Sequence, residues 1–142
     1  MSKVNADKIS TLLGEAKKAL ARLQQYAIMD SSEILSSEER LSSVKYQFII
    51  CAEACLNLCQ HISSKEFSTV PDTYAECFKV LASNKILEPE HAKRMADFAA
   101  FRNVLVHLYW KVDNTRALDM LKNLSIIDEY LKIVWQRYGG AL

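Results

Sequence analysis

The chain has 142 residues, of which half are hydrophobic and a quarter are charged, and its formal net charge is +1. This length fits one domain, and the apolar content is too high for a disordered chain. The small net charge does not indicate a strongly basic nucleic-acid binder, although a local basic patch is compatible with it. Only three glycines and two prolines are present, which favours a few long helices over strand hairpins.

The sequence predicts no membrane span, because no stretch approaches the roughly 18 consecutive apolar residues that a spanning helix needs. The first seven residues also lack the apolar core of a secretion signal. We therefore expect a cytoplasmic protein, whose four cysteines are free thiols in a reducing compartment.

The spacing of apolar residues predicts a first helix over residues 5–28. Residues 29–39, rich in Ser and Glu, are predicted as a connection with room for one helical turn. A second helix, over about residues 38–61, carries apolar residues at alternating spacings of 3 and 4. This spacing is typical of a helix packed lengthwise against another. Since the second helix is apolar around most of its circumference, we expect it at the centre of the fold.

A polar loop over residues 63–69 is expected to precede a short third helix that begins near 71–73 and ends at Asn84. A fourth helix is predicted over residues 88–107 and a fifth over residues 113–139. Together these elements predict an all-α, up-and-down bundle of four or five helices that forms a single domain over residues 1–142.

Polar side chains concentrate at the end of the fourth helix, in the segment FRNVLVHLYW over residues 101–110. An arginine and a titratable histidine can cleave a phosphodiester without a metal, because His107 can move a proton while Arg102 holds the phosphate. These two residues are five positions apart and point roughly 140° from each other on a straight helix. They can face one site only if the helix ends between them or if two chains build the pocket. Residue types alone favour a simpler interpretation, a surface or salt-bridged Arg102 and a hydrogen-bonded His107.

The segment RNVLVHLY over residues 102–109 resembles the RxxxxHxY signature of HEPN-domain proteins of the HepT type. These proteins are the toxin halves of toxin–antitoxin pairs encoded with a minimal nucleotidyltransferase. The likeness extends over roughly residues 38–137. It includes the sequence AEA at residues 52–54 and the sequence PDTY at residues 71–74.

The resemblance implies a HEPN-like homodimer in which two RxxxxHxY motifs meet in a cleft and cut RNA without a metal or another cofactor. It implies that His107 is the general acid/base, that Arg102 clamps the scissile phosphate, and that Asn103 orients the phosphate or the histidine. Tyr109 matches the tyrosine to which the nucleotidyltransferase antitoxin adds AMP, and a bulky anion there would block the RNA cleft. Such a chain is the toxin of a type VII-like toxin–antitoxin system.

The segment from residue 90 to residue 116 carries five basic and three acidic residues, a modest positive excess of two. Within it, Lys111 and Trp110 are candidate RNA contacts, through phosphate neutralisation and base stacking respectively. For this segment alone, a solvated helix face of mixed charge is the favoured interpretation.

Glu53 stands out as an acid on the predicted central helix, where an unpaired carboxylate would be unfavourable. Arg102 or His107 would be its natural partner. Two interpretations stay open at this point: Glu53 orients one of these residues for catalysis, or it forms a purely structural salt bridge.

Three cysteines, Cys51, Cys55 and Cys59, recur every four residues, with His61 close by. Structural zinc usually takes paired ligands from a loop or from two elements, so we interpret these cysteines as small core residues and predict no metal site. His91 is expected to be exposed and without a role. The sequence also has no glycine-rich loop to cradle a nucleoside triphosphate, so we do not expect the chain itself to be the nucleotidyltransferase.

Two alternatives to a nuclease follow from the same residues. In the first, the chain is a non-catalytic helical binding module that docks on a nucleotidyltransferase or presents substrate to it. In the second, it is a structural helical dimer in which Arg102 and His107 only pin the interface.

Overall fold

The computed structural model describes residues 3–107 and 114–139, and within these ranges the chain is helical and contains no strand. The all-α prediction is therefore confirmed. The helices, in chain order, are α1 (Ala6–Ala27), α2 (Ser31–Leu35), α3 (Glu38–Phe67), α4 (Tyr74–Ser83), α5 (Pro89–His107), α6 (Asn114–Leu121) and α7 (Ser125–Tyr138).

Three of these helices begin at a polar side chain that caps their first turn. Asn5, Ser37 and Thr73 each accept a hydrogen bond from the backbone N–H three residues later, at the starts of α1, α3 and α4. Such caps satisfy backbone donors that have no partner inside the helix. They fix where each helix begins.

The central helix is longer than the sequence predicted. α3 continues to Phe67 and ends at Ser68, whose φ of 50° is left-handed. The predicted loop over residues 63–69 is therefore wrong over its first five positions. Its polar composition was misleading because Ser63 is fully buried, and its hydroxyl lies 3.5 Å from the thiol of Cys77 on α4.

The predicted count of four or five helices is also wrong, because the described residues form seven. α2 is a short helix inside the predicted connection, and the predicted fifth helix is divided into α6 and α7 by a turn at residues 122–124. At this turn the side-chain amide of Asn123 donates to the carbonyl oxygen of Asp119 at 2.8 Å. A side chain bonded in this way competes with the backbone bonds that would continue the helix.

α3 lies at the centre of the fold, as predicted, and contacts α1, α2, α4, α5 and α6. The thiols of Cys51, Cys55 and Cys59 are free and their residues are fully buried, so these cysteines are core residues. Phe48 of α3 packs edge-on against Phe98 and Phe101 of α5, with ring centroids 6.2 and 5.4 Å apart. This aromatic contact sets the position of the end of α5 relative to α3.

No group of three or more His, Cys, Asp or Glu residues in the described ranges is arranged to hold a metal ion. No helix within residues 3–107 and 114–139 is long and apolar enough to cross a membrane.

Candidate functional site

The last two turns of α5 carry the candidate site. Phe101 and Leu105 are buried and anchor the helix in the core, while Arg102 and Asn103 are half-buried and His107 is exposed. The helix therefore places polar residues next to the aromatic contact with α3 and at its own C-terminal end. This placement agrees with the position predicted from the sequence.

Arg102 is bound to Glu53 of α3. Its Nη2 donates to Oε1 of Glu53 at 2.8 Å, and the two side chains are 17% and 44% exposed respectively. The sequence predicted Arg102 or His107 as the partner of this acid, and the partner is Arg102. The carboxylate is less buried than its place on the central helix indicated, because it lies at the rim between α3 and α5.

A second hydrogen bond holds the same guanidinium. Nη1 of Arg102 donates to Oδ1 of Asn103 at 2.9 Å. An arginine has five N–H donors, and these two bonds use two of them. Nε is buried and makes no hydrogen bond to any residue in the described ranges. The remaining hydrogens on Nη1 and Nη2 are the ones that an oxyanion could approach, on a guanidinium already fixed by two partners.

Asn103 was predicted to orient a phosphate or the histidine. Its carbonyl oxygen contacts Arg102, and its amide nitrogen makes no hydrogen bond within the described part of the chain. That nitrogen, a donor of two hydrogen bonds, is therefore the part of Asn103 that can meet a ligand.

His107 is the last residue of α5, and the helix runs unbroken from Arg102 to it. Five positions along a regular helix separate two side chains by roughly 140°. From the sequence, both residues could face one site if the helix ended between them or if two chains built the pocket. The first condition is excluded, because the helix does not end between them.

Exposed apolar side chains lie on the same two helices as the ion pair. On α3, Tyr46 and Ile50 share the face of Glu53 by their spacing, and Tyr46 is 57% exposed. On α5, Val106 lies one turn beyond Arg102 and is 41% exposed.

Three predicted site residues, Tyr109, Trp110 and Lys111, lie outside the described residues. His91 was expected to be exposed, and this prediction is wrong. Its side chain is half-buried, and Nε2 donates to the carbonyl oxygen of Ile126 at 2.7 Å, so that it links α5 to α7. His91 therefore has a structural role.

A groove of about 540 Å³ adjoins the site between α4 and α5, and Asn103 is part of its lining. The groove could not be predicted from the sequence, because alanines at helical spacing on α5 are indistinguishable from packing residues. The sequence PDTY at residues 71–74 was the one available signal, since Pro71 and Tyr74 also line the groove.

A family model described as ribonuclease HepT-like matches residues 16–137. The chain belongs to the HepT-like ribonuclease family. It is 25% identical over 135 residues to the mRNA nuclease HepT of Shewanella oneidensis, an alignment that covers 94% of this chain and 98% of that protein. It is 31% identical over 105 residues to the tRNA nuclease HepT of Aphanizomenon flos-aquae, covering 74% and 71%.

A solved structure has the same fold. The chain is similar to a tri-AMPylated Shewanella oneidensis HEPN toxin solved in complex with its MNT antitoxin, with a TM-score of 0.82 and 21% identity. The superposition covers 90% of this chain and 96% of that chain. The prediction of a HEPN-like fold is therefore confirmed.

Proposed function

We propose that the chain is a metal-independent endoribonuclease and the toxin of a HEPN/minimal nucleotidyltransferase toxin–antitoxin pair. The observation that carries this proposal is the guanidinium of Arg102, which Glu53 and Asn103 fix on the same helix end that exposes His107. A fixed cation and an accessible imidazole are the two groups that cleavage of an RNA backbone requires. The relatives named mRNA nuclease and tRNA nuclease support RNA as the substrate class.

In this mechanism, the Nη hydrogens of Arg102 bind the non-bridging oxygens of the scissile phosphate. His107 accepts the proton of the ribose 2′-hydroxyl, whose oxygen attacks the phosphorus while the bond to the 5′ oxygen breaks. The leaving oxygen takes a proton from water, and the products are a 2′,3′-cyclic phosphate and a 5′-hydroxyl end. Arg102 stabilises the extra negative charge that the phosphate carries in the transition state.

The proposed site is shared by two copies of the chain. Because Arg102 and His107 diverge along an unbroken helix, His107 of one copy completes the site of the other. The exposed Tyr46 and Val106 beside the ion pair would be covered in such a homodimer. Two identical surfaces that meet about a two-fold axis are the commonest arrangement of soluble oligomers.

Control by an antitoxin is the second part of the proposal. A cognate nucleotidyltransferase adds AMP to Tyr109, two positions after His107, and the adduct repels RNA from the cleft by charge and bulk. The complex of a tri-AMPylated relative with its antitoxin supports this step. The proposal also places the protein in the cytoplasm, with its RNA substrate. Intact mass after co-expression with the nucleotidyltransferase should increase by whole AMP units in the wild type and should not increase in Tyr109→Phe.

Cleavage of a single-stranded RNA by the purified chain in excess EDTA tests the nuclease. We expect cutting by the wild type, with cyclic phosphate ends, and loss of at least about a hundredfold in Arg102→Ala and His107→Ala. Arg22→Ala, on the exposed face of α1, is the matched arginine control and should cut like the wild type. A folded wild-type chain that leaves RNA intact would contradict the proposal.

The runner-up function is a non-catalytic binding module that docks on a nucleotidyltransferase. The observation that favours it is the ion pair itself, because Glu53 would hold Arg102 in the same way in a purely structural contact. Overexpression separates the two functions. Growth arrest and RNA loss with the wild type but not with His107→Ala support the nuclease, whereas equal harmlessness with intact partner binding supports the module.

A further inference from the structure

The groove between α4 and α5 has one rigid wall. Thr73 caps α4 by accepting from the backbone N–H of Glu76 at 3.1 Å, and Oε2 of Glu76 in turn accepts from the backbone N–H of Asp72 at 3.1 Å. These reciprocal bonds hold the segment that precedes α4 in one conformation, as in a capping box. The groove residues of that segment therefore have fixed positions without a ligand.

The other wall leads to the candidate site. Ala96, Ala100 and Asn103 line the groove, and with His107 they follow one another at spacings of 4, 3 and 4 along α5. Residues with these spacings share one face of a helix. A molecule that lies in the groove is thus aligned along the face that ends in His107.

The chemistry of the lining fits a nucleobase better than a phosphate. Ala100, which is exposed, provides apolar surface, and Tyr74, half-buried, provides an aromatic ring on which a base can stack. Asp72 is the one charged residue among the described lining residues, and its negative charge disfavours an anion. The volume of about 540 Å³ lies within the range of about 300–1,000 Å³ typical of small-ligand sites.

The polar groups of the groove discriminate among bases. A carboxylate accepts hydrogen bonds from exocyclic amino groups, so Asp72 can bind cytosine, adenine or guanine but finds no such donor on uracil. Oδ1 of Asn103 is bonded to Arg102, which leaves its amide nitrogen to donate to a ring acceptor of the base. Gln60, an exposed amide on α3, can donate or accept at the same edge.

We propose that this groove binds the base of the nucleotide next to the scissile phosphate and selects bases that carry an exocyclic amino group. The inference rests on the proposed ribonuclease function and adds a determinant of its specificity. Sequence-selective proteins read single-stranded RNA in this way, by stacking a base and bonding its edge.

Sequencing of the fragment ends from a random single-stranded RNA pool tests the proposal. In wild-type products we expect uracil to be depleted at one position beside the cut. Asp72→Asn should reduce this depletion at least about threefold while cleavage continues, and Ala100→Leu, which fills the groove, should lower kcat/KM about tenfold and flatten the preference. Ala21→Leu, the same change on the exposed face of α1, should match the wild type.

Unchanged base preference in both Asp72→Asn and Ala100→Leu would overturn the subsite. The same conclusion follows if Ala100→Leu keeps the wild-type preference but no longer binds the antitoxin, because the groove would then be a protein-docking surface. A wild-type chain that cuts no RNA would instead contradict the proposed function, so the two failures are distinguishable. Circular dichroism of each variant establishes that it is folded.

Discussion

Oε1 of Glu53 lies 2.8 Å from Nη2 of Arg102, and this ion pair joins the middle of α3 to the last turns of α5. The glutamate side chain is 44% exposed, so solvent screens the attraction and little of the stability of the fold depends on it. Its main effect is on orientation, since it fixes a guanidinium whose direction matters for the proposed cleavage of RNA. Glu53 is in this account a positioning residue rather than a catalytic one.

Substitution of Glu53 should therefore reduce activity more than stability. We expect Glu53→Ala to lower kcat for RNA cleavage about tenfold to a hundredfold, because small misplacements of a catalytic group have effects of this size. Glu53→Gln keeps an acceptor oxygen without the charge and should give an intermediate value. Glu15→Ala, an acid-to-alanine change on the exposed face of α1, provides the control. Full activity of folded Glu53→Gln and Glu53→Ala would show that the ion pair is only structural.

Stability should depend on pH through His61. This buried imidazole accepts a hydrogen bond at Nε2 from the backbone N–H of Asn5 at 2.9 Å, which ties α3 to the start of α1. Burial, followed by the charges of Lys8 and Lys65, lowers the pKa of His61 from its ordinary value of 6.5. Above that value the imidazole is neutral in both folded and unfolded chains. As the pH falls through 6.5 toward the lowered pKa, only the unfolded chain gains the proton and stability is lost.

Urea unfolding at about pH 7.5 and about pH 5.5 measures this loss. We expect the free energy of unfolding to be smaller at the lower pH, and the decrease to be reduced in His61→Gln. The glutamine oxygen can accept the Asn5 bond and does not titrate. An equal decrease in the variant and the wild type would assign the pH dependence to other groups.

A buried tyrosine links α7 to the central helix. The hydroxyl of Tyr130 donates to the carbonyl oxygen of Cys55 at 2.9 Å, and its ring packs edge-on against Phe78 at 5.7 Å. Tyr130→Phe keeps the ring contact and should lower the free energy of unfolding by about 1 kcal/mol, the usual net value of one internal hydrogen bond. In Ser10→Ala, which removes an exposed hydroxyl on α1, the free energy of unfolding should not decrease. Equal stabilities of the two variants would contradict this assignment.

The sequence predicted those parts of the fold and site that depend on local pattern. The positions of α1, α4 and α5 follow from apolar spacing and caps, and an ion pair of Glu53 with a basic residue follows from an acid on an apolar helix. Contacts between distant residues were not predictable in this way. His91 meets the carbonyl oxygen of Ile126 and Ser63 meets Cys77 only after folding, so both were assigned to exposed or loop positions.

The groove could not be predicted from the sequence for the same reason, and the proposed shared site could be predicted only in part. The sequence does not show that alanines of α5 line a groove, because the groove forms only when the start of α4 lies opposite them. The divergence of Arg102 and His107 was visible from their spacing, but the structure was needed to show that the helix does not end between them.

Mixing two inactive variants tests the shared site most directly. A heterodimer of Arg102→Ala and His107→Ala has one site with both residues intact and one with neither. If each site takes Arg102 from one chain and His107 from the other, re-equilibrated equimolar mixtures should recover about a quarter of wild-type cleavage, because about half of the dimers are mixed and one of their two sites works. Mixtures that exchange subunits, as shown by mass spectrometry, yet remain as inactive as either variant alone would contradict the account.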